Sequence, residues 1–278
     1  MTTFQSNIIS IYGEKGKIWI DELPQLVSAT SSKLDLRDLK EVPNLTYNYV
    51  LSGFQDGNHI ILKLGLDNEG LKQEAFTLKC FGGYGAVHVL AEDDGMLLLE
   101  RAMPGTSLKS YFPDKEQESI KIACSVMEKL HQANIPETHH FPHIKDWVKA
   151  LDKDWNIPHG YLEKARRLAG RLLNTAHSNT LLHGDLHHDN ILKNNHTWVV
   201  IDPKGIIGSP INEVWAFVEN INVDASLIAH YFGFNEQDVF DWYFVHLVLA
   251  ACWNLEDHLA PGIFIELAEK VYHRCSFN

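Results

Sequence analysis

His183-Gly184-Asp185-Leu186-His187-His188-Asp189-Asn190, followed by Asp202 at the close of Val199-Val200-Ile201, is the stretch on which the reading of this chain turns. It has the form H-x-D-x-x-x-x-N, then a hairpin, then an Asp at the end of an apolar strand. Phosphoryl transfer needs these parts close together. One Asp accepts or orients the proton of the acceptor hydroxyl, while an Asn and a second Asp hold magnesium on the nucleotide phosphates. Asp185 fits the first role, and Asn190 with Asp202 the second. The connection is physically sensible. Ile191-Leu192-Lys193 and Trp198-Val199-Val200-Ile201 are short apolar runs, and Asn194-Asn195 between them is a turn signal. Such a hairpin returns Asp202 towards Asn190.

An isolated H-x-D, or a lone Asp at a strand end, carries little information, because Asp and Asn gather in turns for local reasons. Here type, order, spacing and flanking strands all agree. Leu182 to Ile191, together with Val200-Ile201-Asp202-Pro203-Lys204-Gly205, resembles the aminoglycoside phosphotransferases, and within them the streptomycin 6-phosphotransferase and hydroxyurea phosphotransferase branch. The resemblance runs from the β-rich N-terminal third to the C-terminal helices. It implies an α+β, bilobal protein-kinase-like fold with a small β-rich N-lobe and a larger, mainly helical C-lobe. The nucleotide-binding lobe is expected over 1–102 and the catalytic and substrate-binding lobe over 103–278, with a hinge about 100–105.

The other parts of such a kinase have counterparts upstream. Leu45–Leu51 and His59–Leu64 read as strands, with Asp56-Gly57 as a hairpin signal between them. Lys63 ends an apolar strand, where an amine is awkward to bury alone. In the kinase arrangement it contacts the α- and β-phosphates and pairs with a Glu on the next helix. Asn68–Phe81 carries Leu71, Ala75 and Leu78 at helical spacing and offers Glu74 as the partner, with Glu69 and Lys72 facing solvent. Phe81-Gly82-Gly83-Tyr84-Gly85-Ala86 follows a helix, so it reads as a helix stop leading to a strand at Val87–Leu90, with no ligand. Met96–Glu100 is the next strand. By resemblance, the backbone of Glu100 and Ala102 meets the adenine.

After the hinge the pattern is helical. Ile120, Ala123, Met127 and Leu130 form one stripe; Leu162, Ala165, Leu168 (or Ala169), Leu172 and Ala176 form another. Two further helical runs are expected over Glu236–Cys252 and Gly262–Cys275. His139, His140 and His143 lack companions at a zinc spacing and read as a loop. His183 is expected to bond local backbone, and His187 and His188 to lie near the site. Pro203 is expected to hold Asp202 extended. No A-P-E motif or long activation segment follows. Family members often draw substrate contacts from acidic residues near the C-terminus. The candidates are Glu219, Asp224, Glu256 and Asp257; Ala250–Asn254, similar to the branch's C-terminal helix, favours Trp253, Glu256 and Asp257.

Composition sets limits. With 278 residues, 45% hydrophobic, the chain can bury a sizeable core in each of two lobes. Cys80, Cys124, Cys252 and Cys275 are widely spaced without a C-x-x-C pair, as in reduced thiols of a cytoplasmic protein. No basic, apolar leader and no membrane span is apparent. The net charge of −12 disfavours nucleic acid and suits a cationic small molecule. The expected activity is therefore transfer of a γ-phosphate from ATP (or GTP), with Mg2+, to a hydroxyl of a small, cationic molecule such as streptomycin, or to hydroxyurea. The alternatives are a same-fold kinase of another metabolite (ketosamine, choline, methylthioribose or homoserine), a nucleotide-binding pseudokinase, and a protein kinase.

Overall fold

The computed structural model describes the chain except residues 44, 113, 176–177, 219–220, 258 and 277–278. Two compact units emerge. One comprises Met1–Gly105 with Lys193–Ile201, the other Thr106–Leu192 with Asp202–Asn278.

The first unit opens with a helical segment that sequence periodicity did not predict, α1 (Thr3–Leu34), interrupted at Gly13 (φ 58°, ψ −129°). The reversal folds the two arms together: the rings of Phe4 and Trp19 lie 6.0 Å apart. A methyl group on Gly16 would meet the Ile8 carbonyl oxygen at 2.7 Å, so only glycine permits this approach. Five strands follow: β1 (Arg37–Glu41), β2 (Tyr49–Gln55), β3 (Asn58–Leu64), β4 (Val89–Asp93) and β5 (Met96–Glu100). They form an antiparallel sheet ordered β1-β2-β3-β5-β4. The helix α2 (Asn68–Cys80) lies between β3 and β4 in sequence.

Alternation along the strands decides what each face meets. Ile60, Leu62, Leu64, Met96 and Leu98 join Phe4, Ile8, Trp19 and Leu23 of α1 in one core. Each such fully buried aliphatic side chain contributes about 1.5–3 kcal/mol. The intervening residues, Ile61 and Lys63 on β3 and Leu97 and Leu99 on β5, therefore point to the opposite face, where α2 buries Leu71, Ala75 and Leu78. The first strand of the hairpin differs from the sequence expectation. It runs to Gln55 rather than stopping at Leu51, because Asp56 (φ 49°) and Gly57 (φ 79°) turn the chain in two residues. The strand expected from Val87 begins at Val89, since the Val87 N–H is taken by the Val200 carbonyl at 3.2 Å.

Pro104–Ser107 forms the short β6. The second unit contains α3 (Glu116–Leu130), the one-turn α4 (Ile144–Trp147), α5 (His159–Thr175), β7 (Thr180–Leu182), β10 (Ile206–Gly208), α6 (Ile221–Phe232), α7 (Glu236–Glu256) and α8 (Gly262–Tyr272). A hairpin of β8 (Ile191–Asn194) and β9 (Thr197–Val200) precedes β10. The predicted stripes of α3 and α5 are buried, apart from Ala176, which lies outside the described residues. Helix α6 was not anticipated. Helix α7 is buried on every side from Val239 to Cys252, as befits a central helix with an apolar circumference. Helix α8 stops at Tyr272, three residues before the expected Cys275, because the last carbonyls are captured by the buried Lys164 amine, 2.6 Å from the Tyr272 oxygen and 3.2 Å from that of Cys275. Among the described residues no helix is long and apolar enough to cross a membrane.

Candidate active site

In the first unit, strand parity points Lys63 at α2, and Glu74 stands on the facing side of that helix. Both Glu74 oxygens accept from the Lys63 ammonium at 2.8 Å. The pair is 5% and 7% exposed, respectively. Two opposite charges sharing two short hydrogen bonds fix the ammonium in direction as well as place. Helix α2 is itself anchored at its start, where Asp67 accepts from the Gly70 N–H at 2.9 Å. Glu69 and Lys72 stand exposed, Lys72 reaching Asp94 at 3.1 Å.

At the end of β5, Arg101 donates its N–H to the His59 carbonyl at 3.2 Å, which makes Ile60–Glu100 a non-hydrogen-bonded pair. The backbone edge of Glu100 therefore faces away from β3, and its N–H donates to the His88 carbonyl at 2.9 Å. Its carboxylate is otherwise engaged, by the His88 ring at 2.5 Å and the Asn194 amide at 3.4 Å. Partial burial raises the Glu100 pKa, but the hydrogen bonds from His88 and Asn194 outweigh it and leave the carboxyl below its usual range. Ala102 is buried.

In the second unit, β7 and β10 pair antiparallel, Leu182 opposite Ile206, and the loops at the same end of the two strands carry the motif. His183 is fully buried, and its carbonyl accepts from Lys204 at 2.8 Å and Gly205 at 3.1 Å, which ties the D-P-K-G segment to the loop that carries Asp185. Its ring accepts from the Asp185 N–H at 3.3 Å, as expected of a residue that bonds local backbone. Asn190 donates its amide to the Asp185 carbonyl at 2.9 Å. That bond turns the amide oxygen of Asn190 outward as an acceptor.

Asp202 departs from the expected geometry. It sits at φ 58°, not in extended backbone. Pro203 excludes the right-handed helical region but leaves the left-handed one, which Asp tolerates better than most residues. The turn at Asp202 is held by the two bonds to His183, so the segment is bent rather than straightened by its proline.

The hairpin before Asp202 is fixed within the first unit. Asn195 turns it with φ 52°. The Val200 N–H donates to the Gly85 carbonyl at 2.8 Å, and Val200 returns a carbonyl to Val87. The glycine-rich run after α2 thus serves the strand that leads to Asp202. Gly83 (φ 84°) and Gly85 (φ 101°) permit the turn that reaches it.

The remaining candidates separate clearly. Trp253 is partly exposed on α7, its ring edge-to-face with Trp147 at 5.1 Å and 82°. Glu256 is exposed and paired with Lys153 at 2.6 Å, and Asp257 caps the end of α7. Asp224 is not a surface charge but buried, 1% exposed. Glu219 lies outside the described residues. His188 is buried between Phe112 and Phe217, with ring centres at 4.5 and 5.0 Å, so it supports the loop from behind. His187 accepts from the Asp189 N–H at 3.2 Å. The Lys204 side chain is exposed. His143 caps α4, accepting from the Lys145 N–H at 3.0 Å; among the described residues no three His, Cys, Asp or Glu gather as a metal-binding group.

Glu213 was missed as a site residue. It is fully buried and accepts from the N–H groups of His183 at 2.6 Å and Gly184 at 2.9 Å, with His131 at 3.7 Å. Burial pushes its pKa up, yet the contributions of His131, His183 and the Gly184 N–H prevail and hold the carboxyl below its ordinary value. An ionised group there clamps the loop that carries Asp185. The one sequence signal was an acid amid apolar neighbours, Ile211, Val214 and Phe217.

Residues 48–257 match the family model described as aminoglycoside/hydroxyurea antibiotic resistance kinase. The streptomycin 6-kinase of Streptomyces glaucescens is 23% identical over 274 residues, covering 88% of this chain and 87% of that protein. The streptomycin 3''-kinase of Klebsiella pneumoniae is 25% identical over 198 residues, covering 65% and 74%. Among solved structures, aminoglycoside phosphotransferase APH(4)-Ia with ADP and hygromycin B superposes with a TM-score of 0.71 at 13% identity, covering 90% of this chain and 99% of that one. The choline kinase LicA of Streptococcus pneumoniae superposes with 0.70 at 14% identity, covering 91% and 99%. These likenesses establish a protein-kinase-like fold.

Proposed function

The chain belongs to the aminoglycoside/hydroxyurea antibiotic resistance kinase family and is a small-molecule kinase, and from that premise we propose that it transfers the γ-phosphate of ATP to a hydroxyl of a cationic aminoglycoside of the streptomycin type. The observation that carries the reading is the locked catalytic loop. Asn190 is bonded to the Asp185 carbonyl, and Glu213 holds the two N–H groups before it. Asp185 orients the acceptor hydroxyl and takes its proton as the bond to phosphorus forms. Lys63, aimed by Glu74, positions the nucleotide phosphates. The carbonyl of Glu100, with the backbone of Ala102, receives the adenine. The amide oxygen of Asn190 and the carboxylate of Asp202 are hard oxygen donors suited to Mg2+, which is expected to neutralise phosphate charge when bound. Catalysis then rests on positioning and electrostatics, since phosphoryl transfer asks little covalent chemistry of the protein.

The test is Mg2+-dependent ADP release from the purified protein with streptomycin, kanamycin-type aminoglycosides, hydroxyurea and small metabolite alcohols. Streptomycin-dependent turnover is expected. Asp185→Ala should lower kcat on the order of 10²–10⁴-fold while nucleotide affinity stays within a factor of about two. An active Asp185→Ala enzyme would remove Asp185 from its role. Turnover with a metabolite alone would replace the acceptor and keep the mechanism.

A further inference from the structure

We propose that Trp147 and Trp253 form an aromatic corner beside the catalytic loop that takes a planar cationic group, a guanidinium, of the acceptor. The inference rests on the kinase reading above and names the chemistry by which the site would select its substrate.

Trp147 lies far from the motif in sequence but next to it in the second unit. A methyl group on Gly184 would meet the Trp147 Cη2 at 3.3 Å, so the indole borders the residue immediately before Asp185. Its backbone is held on the same framework. The Ile207 N–H donates to the Pro142 carbonyl at 2.8 Å, His143 bridges Ile207, and α4 follows directly. The strand containing Ile207 pairs with the one that leads into His183. Position is thus set by main-chain bonds rather than by the indole itself.

The pair geometry leaves a binding surface. At 5.1 Å and 82° the two rings meet edge to face, so they form two walls of a corner rather than a closed stack. Both residues remain partly exposed, whereas Trp242, on the same helix as Trp253, is 2% exposed. An indole face attracts cations more strongly than other aromatic faces, and guanidinium stacks on it while keeping its in-plane donors for carboxylates or water. Two of the nearby acids have lysine partners, Glu256 with Lys153 and Asp146 with Lys149, both at 2.6 Å, while Asp257 stands exposed at the end of α7. The corner thus offers π-faces to the flat cation and leaves its in-plane donors to carboxylates or water.

The experiment measures equilibrium binding of streptomycin, which carries two guanidinium groups, and of hydroxyurea, which carries no charge, by calorimetry in the presence of a non-hydrolysable ATP analogue. Steady-state kinetics accompany it. For Trp147→Leu, streptomycin affinity should fall roughly ten-fold and its KM rise in parallel, with kcat within about two-fold. Trp147→Phe should recover a large part of the loss. Nucleotide affinity should not move. Equal binding of streptomycin by wild type and Trp147→Leu would overturn the inference, as would a wild type that binds hydroxyurea but not streptomycin. Equal loss of both ligands would also overturn it, since that would show the indole to be packing only. A failure of the kinase reading is distinct: it would appear as wild-type binding without ADP release.

Discussion

Replacing Lys63 separates two jobs that the residue combines. Its ammonium is expected to orient phosphates, and it neutralises a carboxylate buried on α2. Lys63→Met leaves Glu74 buried without that ammonium, and removing one partner of a buried pair costs about 3–5 kcal/mol. The double variant Lys63→Met/Glu74→Leu replaces both charges by apolar groups and should regain most of that stability. Activity should stay low in both, because the phosphates lose their lysine either way. Urea unfolding and ADP release, measured side by side, check this. Recovery of turnover in the double variant would mean that Lys63 serves the fold alone. Much at this scale was legible. The oddity of a lysine closing an apolar strand, with an acid one helix later, points to the pair from sequence alone. Asp202 was not, because a rule about the residue before proline excludes one backbone region and does not choose among the others.

At the scale of elements, α7 holds a histidine whose burial disfavours its charged form. His246 is fully buried, its ring stacked on Trp215 at 5.2 Å and 7°, and burial lowers its pKa from 6.5 to about 3. In the unfolded chain it takes a proton near its ordinary value. Between those two values the unfolded state therefore binds more protons, and stability falls as pH drops below about 6.5. At pH 5 the loss amounts to about 2 kcal/mol. His246→Phe keeps a flat ring and removes the titration. The wild type should lose about 2 kcal/mol more than this variant between pH 8 and pH 5 in urea unfolding. Parallel losses would show the histidine to be solvated or paired at low pH. Helices were read unevenly from sequence. α2, α3 and α5 announce themselves by apolar stripes, whereas α1 is broken at Gly13 and carries Gly16 and Pro24, all ordinary stop signals. Its order comes from packing against the sheet, which no local pattern reveals. Trp147 and Glu213 were likewise hidden, since both matter through contacts with a loop about 30 or more positions away in sequence.

For the molecule as a whole, the net charge of −12 makes a claim that its residues individually do not. Most of its acids are exposed, and a field summed over many of them reaches beyond any one pair. Such a field extends about 30 Å at about 0.01 M salt and about 3 Å at about 1 M. A polycationic acceptor should therefore be concentrated near the protein at low salt and released from that attraction at high salt. KM for streptomycin is expected to rise on the order of ten-fold across that range, while KM for an uncharged acceptor stays flat. The same titration with Trp147→Leu separates long range from short. Contact with an indole face acts over a few ångströms and is screened little, so the variant should start from a weaker affinity and show the same salt slope. A slope that disappears with Trp147 would place the charge recognition entirely at the aromatic corner and leave the acidic surface to solubility alone.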